Sequence, residues 1–281
     1  MNTRLDDTDL AASVDEIEFL VRSDHRVGVL TALAEGPRDR AELCEATAAS
    51  SPTMGRVLGD FEERRWVARD GKTYELTTLG TYVADELVDL CASMATERRL
   101  REVWVWLPRE MEAFDVDLFE DAVVSYPGPG YPSQPLERIA DLVGGTESLR
   151  GFGATVVKSN TLEATCNRIL AGMDNEYVFA PAVLEAVLSW DPELFGEAMA
   201  RENCRTFVHE SLPDGERCGL LLLDDRVAIC CHDGPTGALR AVVDTDARPA
   251  LAWAESVYED VRREARLVED PESLLARDGP G

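Results

Sequence analysis

At 281 residues the chain exceeds a typical single domain, so two domains are expected. Its 54 carboxylates against 28 lysines and arginines give a formal net charge of −26, which excludes a uniformly basic surface; nucleic acid can be met only where acid is locally sparse. The odd count of seven cysteines has no CxxC and no zinc-type spacing, and no apolar run approaches the roughly 18 residues of a membrane span. With no signal peptide evident, a reducing cytoplasm is the expected compartment.

Met1 to Asp15 reads as an acidic leader. A short helix is expected over Glu16 to Ser23, with Ile17, Phe19, Leu20 and Val21. Another follows from Asp24, read as its cap, to Ala34, and Gly36-Pro37 stops it. Asp39 to Ala46 is a short amphipathic helix, and Thr47 to Ser51 is the turn after it. The next helix is central. Ser51 reads as its N-cap and Pro52 as its first helical residue. Met54, Val57, Leu58 and Phe61 fall on one buried face, opposite Ser50, Ser51, Thr53, Gly55, Arg56 and Asp60. From Ala46 to Gly59 the only charged residue is Arg56, and a helix that approaches phosphates must keep acids out of its leading turns.

Arg65 to Arg69 and Thr73 to Leu76 are strand-like and flank Asp70-Gly71-Lys72, a strong hairpin signal. Thr77 to Gly80 opens a further helix, so the order of elements is that of a winged helix-turn-helix. The stretch EGPRDRAELCEATAASSPTMGRVLGDFEERRWVARDGKTYELTTLG resembles the DNA-binding domain of archaeal, especially haloarchaeal, winged-helix transcriptional regulators. The resemblance covers about the first third of the chain. One departure stands at Arg65, where the pattern leads us to expect glycine; a left-handed backbone there costs an arginine on the order of 1 kcal/mol.

This reading makes Ser50, Ser51, Thr53 and Arg56, with Arg69 and Lys72 on the hairpin, the expected DNA-binding residues. Arg56 can read guanine bidentately or hold a phosphate, and Ser51 can cap its helix or touch the DNA. Between Gly36 and Lys72 acids and bases balance at seven each. Lys72 and Lys158 are the only lysines, and acid-rich, lysine-poor composition resembles the proteins of extreme halophiles.

Leu79 to about Leu100 reads as a long helix with Val83, Leu87, Leu90 or Cys91, and Met94 at helical spacing. In winged-helix regulators this element commonly carries a dimer contact; packing on its own domain is the equal alternative. Trp104 and Trp106 lie in a segment that periodicity assigns to neither strand nor helix, and Tyr126 to Pro135 is an irregular Pro/Gly loop. Then come a strand (Gly151 to Lys158), a helix (Thr161 to Ala171), a strand (Asn175 to Ala180) and a helix (Ala182 to Ser189), an order that implies parallel pairing. Four further strands are expected over Arg205 to Glu210, Gly219 to Leu223, Val227 to Cys231 and Ala238 to Val243. A last helix spans Ala247 to Leu267, followed by a polar tail.

This half is similar to the C-terminal domain of methanogenesis-type regulators in its LP, PLERI and ARPALAWAESVYEDVRREA pieces. That resemblance implies an effector-sensing or assembly domain. The expected fold class is α+β: an N-terminal winged helix-turn-helix domain (1–100) followed by an α/β effector-type domain (101–281). Lys158, Ser159, Asn160 and Thr161, between a strand and a helix N-terminus, are the expected effector site for a small anionic metabolite, with ordinary capping as the bland alternative.

No motif for a nucleophile, phosphate loop or metal appears, so no cofactor, metal or catalytic residue is expected. His209 and His232, with Glu210 and Asp233 beside them, could hold a metal if their strands adjoin; satisfied or exposed histidines are the favoured reading. Cys230 and Cys231 should point to opposite faces and act as small buried hydrophobes. The reading is of a DNA-binding transcriptional regulator, a homodimer on double-stranded DNA with no membrane association. Control by thiols or a protein partner, or an enzyme built on the second domain, remain the alternatives.

Overall fold

The stripe Met54, Val57, Leu58 and Phe61 is buried, as its spacing predicts, and the N-terminal unit is built on it. The structure is a computed structural model that describes residues 7–109, 111–153, 155, 160–213, 218–234 and 236–269. It divides into two compact units, Met1–Ala92 and Ser93–Gly281. In the first, α1 (Asp7–Val21), α2 (Asp24–Ala34), β1 (Arg38–Asp39), α3 (Arg40–Thr47) and α4 (Ser51–Glu63) precede the hairpin β2 (Val67–Asp70) and β3 (Thr73–Leu76), and α5 (Thr78–Leu100) follows. The three strands form an antiparallel sheet in the order β1-β3-β2.

Four local readings are corrected. α1 begins within the stretch read as an acidic leader and runs fifteen residues; Leu10, Val14, Ile17 and Val21 keep helical spacing and stay exposed, while Leu20 is buried. α2 is entered from Ser23, with Asp24 in its first turn. The N-cap of α4 is Ser50, whose hydroxyl accepts from the Thr53 N–H at 3.4 Å, so Ser51 is helical. β1 is too short to show periodicity and exists through its pairing with Thr73 and Tyr74.

The end of α4 explains how Arg65 is tolerated. It takes the left-handed conformation, φ 59°. The Arg65 N–H donates to the Glu62 carbonyl at 3.0 Å, and the Trp66 N–H donates to Phe61 at 2.9 Å, which is a Schellman closure. The contact that accompanies such a closure is present, with the Phe61 and Trp66 rings 5.6 Å apart and both buried. Burying two aromatic side chains is worth on the order of 5 kcal/mol, which outweighs the backbone cost of a non-glycine residue. The Thr77 hydroxyl caps α5 by accepting from the Gly80 N–H at 3.0 Å. Only glycine fits at 80, since a Cβ there would lie 1.9 Å from the Trp66 carbonyl oxygen.

The second unit opens with a 3-10 turn over Trp104–Trp106, the segment whose periodicity was undecided, and another over Val116–Phe119. Its elements are β4 (Val123–Ser125), α6 (Gln134–Gly145), β5 (Ser148–Gly153), α7 (Asn160–Leu170), β6 (Asp174–Phe179), α8 (Pro181–Trp190), α9 (Pro192–Met199), β7 (Cys204–Val208), β8 (Cys218–Leu222), β9 (Val227–His232), β10 (Leu239–Thr245), α10 (Arg248–Glu264) and β11 (Arg266–Leu267). β4, α6, α9 and β11 were not foreseen. α6 starts inside the loop read as irregular, where Pro135 serves its first turn.

The eight strands order as β11-β7-β6-β5-β8-β9-β10-β4. β5, β6 and β7 pair in parallel, as the strand-helix alternation implies, and the other pairings are antiparallel. Strand alternation sends Phe152, Val178, Phe207, Leu220, Ile229 and Cys231 into a core shared with α10, while Leu149, Leu221 and Cys230 face a second core with α6 to α9. Cys230 and Cys231 thus lie on opposite faces as expected. His209 and His232 do not neighbour each other: His209 follows β7 and His232 ends β9, with β6, β5 and β8 between those strands.

The methanogenesis-type pieces form joints. Arg138, from PLERI, holds the fully buried Asp244 through two bonds of 2.8 and 2.6 Å, and Arg226 adds a third at 2.8 Å. In α10 the Trp253 N–H donates to the Glu112 carbonyl at 3.1 Å, and the Tyr258 hydroxyl donates to Glu176 at 2.6 Å.

Candidate nucleic-acid interface

α3 sets the approach to α4. Asp39 caps it, accepting from the N–H groups of Ala41 and Glu42 at 2.8 and 3.0 Å, while Glu42 accepts from the Asp39 N–H at 2.6 Å. Its last carbonyls are released at Ala48, left-handed with φ 54°, and the chain turns at once into Ser50. Ser50 and Thr53 share a hydroxyl contact of 2.9 Å besides the cap bond. Each hydroxyl keeps a lone pair or proton for an outside group.

No acid stands in the first turn of α4, and its N–H groups carry the positive end of the helix dipole. Ser51 and Arg56 are exposed. Among the described residues no carboxylate pairs with Arg56, whereas Arg22, Arg26, Arg38 and Arg64 of the same unit are all held in ion pairs. Asp60, read from the sequence as part of the open face, is instead half-buried and held by Arg26 at 3.0 Å. That pairing removes the one acid that would have confronted a phosphate beside Arg56.

Arg40 was missed. Its guanidinium donates to the Ser51 carbonyl and crosses α4 at Gly55, where an added Cβ would lie 2.7 Å from its Nη2. Gly55 reads in the sequence as a weak helix residue; what it provides is room for a second arginine at the leading end. On the hairpin, Gly71 takes φ 62° at the first of two turn positions, as a type II′ turn requires. The Arg69 Nε–H donates to the Gly71 carbonyl at 2.9 Å, and its guanidinium lies 5.5 Å from the centre of the Tyr74 ring. Lys72 is exposed at the tip. The structure therefore groups Ser50, Ser51, Thr53 and Arg56 at one helix end and Arg69 with Lys72 at one turn.

The expected effector residues are only partly visible. Lys158 and Ser159 lie outside the described residues, and Asn160 is described as the first residue of α7 without its side chain. Thr161 lines a cavity of about 150 Å³ between the sheet and α6 to α9. No cluster of metal-ligating side chains occurs among the described residues, nor is any helix there long and apolar enough to cross a membrane.

Helices α2 to α4 with the wing define a winged helix-turn-helix, here joined to a mixed sheet domain of regulator type. Residues 14–99 match the family model of the HVO_A0261 N-terminal domain, and residues 132–264 match that of the middle domain of the methanogenesis regulatory protein FilR1. The two parts of the chain are thus similar, respectively, to the N-terminal domain of HVO_A0261 and to the middle domain of a methanogenesis regulator.

Among solved structures, the archaeal chromatin protein TrmBL2 is similar at 11% identity and a TM-score of 0.42, over 90% of this chain and 99% of that one. The phospholipase D family member Nuc from Salmonella typhimurium is similar at 12% identity and a TM-score of 0.41, over 52% and 97%. NucT from Helicobacter pylori is similar at 11% identity and a TM-score of 0.41, over 52% and 98%. Likenesses this low support nothing further. A comparison with curated proteins returned no match.

Proposed function

We propose that the chain is a DNA-binding transcriptional regulator that enters the DNA with α4 and is controlled by a small effector in its C-terminal domain. The observation that carries the DNA reading is the leading face of α4. In a protein of net charge −26, that face presents Arg56 without a counter-carboxylate, has Arg40 laid across it, and has its one nearby acid withdrawn into an ion pair. The matched regulator-type domains support the same reading and favour a non-catalytic role for the C-terminal domain.

In this proposal Arg56 reads a base edge, Ser50, Ser51, Thr53 and Arg40 meet the backbone at the helix N-terminus, and Arg69 with Lys72 meet it from the wing. Fluorescence anisotropy on a selected operator and a random duplex tests it. Arg56→Ala should weaken the operator by about 1–3 kcal/mol more than the random duplex. Equal weakening removes base reading, and no weakening of either removes α4 from the interface. Replacing Arg69 and Lys72 together by glutamine should flatten the salt slope for both duplexes.

A homodimer fits the apolar side chains left exposed. Leu10, Val14, Ile17 and Val21 recur along α1 at spacings of four, three and four, and Leu79, Tyr82, Leu90 and Met94 are exposed on α5. Ile17→Glu should shift the sedimentation profile toward the monomer. The acid-rich, lysine-poor surface supports a protein adapted to concentrated salt. Thiol control has less support, since burial pushes the Cys166 and Cys230 thiols up to about 12.

A further inference from the structure

The two faces of the large sheet are filled differently. Toward α10 the strands present full-sized side chains. Toward α6 to α9 three positions in the middle of the sheet are glycine: Gly151 and Gly153 on β5 and Gly219 on β8, with Gly153 and Gly219 directly paired. A Cβ at 151 would lie 2.4 Å from the Leu220 carbonyl oxygen, and one at 153 would lie 2.7 Å from the Tyr177 hydroxyl. The Tyr177 ring thus runs over the bare backbone of Gly151 and Gly153, and Leu149 of β5 and Leu221 of β8 stand at the sides of the space above the sheet. Helices α7, α8 and α9 close the other side with Ile169, Leu184, Phe195 and Ala198, leaving the cavity of about 150 Å³. Protein interiors rarely keep voids larger than a water, and a space of about 150 Å³ is large enough for a ring the size of benzene.

Apolar groups dominate the lining, and Thr161, Thr165, Asn175, Tyr177, Thr206 and His232 add uncharged polar ones. Among the described residues it contains no lysine, arginine or carboxylate. His232 is 4% exposed, lines the cavity, and its Nδ1 has no hydrogen-bond partner. Burial pushes its imidazole down to about 4, so it is neutral near pH 7, and burial raises the Tyr177 phenol, which stays protonated. The imidazole also hydrogen-bonds the Cys230 backbone, and the unpartnered Nδ1 is available to a polar group of a ligand. Charged molecules would lose their hydration here and find no counter-charge.

We propose that this cavity is the effector site and that it takes an uncharged, ring-sized, mostly apolar molecule with one hydroxyl or carbonyl group, which His232 and Tyr177 orient. This deepens, and rests on, the reading of the C-terminal domain as an effector domain. It replaces the anionic metabolite expected beside Lys158, for which the described lining offers no positive charge. The Thr161 end of α7 remains part of the site.

Calorimetry on the full chain, with phenol, indole and cyclohexanone as neutral probes and benzoate as the charged control, tests the assignment. At least one neutral probe should bind saturably, benzoate at least tenfold more weakly. Ala198→Phe, which fills the cavity, should weaken binding at least tenfold. Thr165→Leu serves the same purpose if that variant does not fold. His232→Phe should weaken phenol more than benzene. Failure of every neutral probe to bind, or equal binding to both filled variants, overturns the site. The same samples in the operator anisotropy assay separate the two readings. A probe that binds the cavity and leaves operator affinity unchanged removes effector control but not the site. An operator response to benzoate that survives Ala198→Phe keeps effector control and overturns the cavity as its seat.

Discussion

Arg26 of α2 holds Asp60 of α4 at 3.0 Å while its other terminal nitrogen donates to the Phe19 carbonyl at 2.7 Å and its guanidinium covers the Phe19 ring at 3.8 Å. One side chain thereby ties α1, α2 and α4 together and partly covers Asp60, the first acid along α4. Arg26→Ala should cost about 2 kcal/mol by chemical denaturation, between the values for exposed and buried pairs. It should also weaken DNA binding by exposing Asp60. Arg26→Ala with Asp60→Asn should recover the binding loss and not the stability; recovery of both would mean the pair contributes charge alone.

Gly55 gives a prediction in which stability and function part company. Alanine in the helix interior favours the helix by up to about 1 kcal/mol. Its methyl would push Arg40 off the Ser51 carbonyl. Gly55→Ala should raise the melting temperature and lower DNA affinity, as Arg40→Ala should. Unchanged affinity in both variants would remove Arg40 from the interface.

Arg65 bears a left-handed backbone that glycine would bear more easily. Arg65→Gly should stabilise the N-terminal unit by about 0.5–1 kcal/mol, part of the gain being returned through the freer unfolded chain. Trp66→Ala should cost about 3–5 kcal/mol, since it removes the ring that accompanies the closure on Phe61. Urea titration with unchanged slope reads both.

Asp244 is fully buried between Arg138 and Arg226. Asp244→Asn keeps the shape but leaves Arg138 without its counter-charge and Arg226 with Asp246 alone, so it should cost about 3–5 kcal/mol. A loss near zero would show that solvent or Asp246, which Arg226 also reaches at 3.1 Å, takes over.

His232 sets a pH dependence of definite sign. Its folded value, about 4, lies below its ordinary 6.5, so between these values the unfolded chain takes up the proton and the folded chain does not. The stability it permits is complete above pH 6.5 and is lost as pH falls toward 4, by about 3 kcal/mol at most. Asp224, held below the usual carboxylate range chiefly by the Glu147 N–H, and Asp233, held there by Arg240, lose their contributions only under more acid conditions. His232→Phe should flatten the denaturation midpoint between pH 6.5 and 4.5; the same slope in the variant would assign the effect elsewhere.

The N-terminal unit was legible because local signals agreed: the spacing of Met54, Val57, Leu58 and Phe61, the helix start at Pro52 and the Asp70-Gly71 turn. The cap was misread by one residue because Ser50 and Ser51 offer the same chemistry. The first half of α1 escaped because Leu10 and Val14 sit among acids and stay exposed, so the start of a helical stripe looked like a leader. α6 was hidden by the prolines before it, which punctuate its start. The cavity was not legible at all. Its lining groups Leu149, Tyr177, Gly219 and His232 come from four strands spread over some eighty residues, and only the sheet order places them together. Arg40 was missed for a similar reason: nothing in its local sequence shows that it crosses to Gly55.

The seven thiols have a practical corollary. Four are buried, Cys44 and Cys204 are partly covered, and Cys91 on α5 is exposed. A brief treatment with a maleimide dye should therefore mark one position in the unmodified protein. That supplies a native fluorescent reporter on α5, beside its exposed apolar residues, with no cysteine to engineer in or remove.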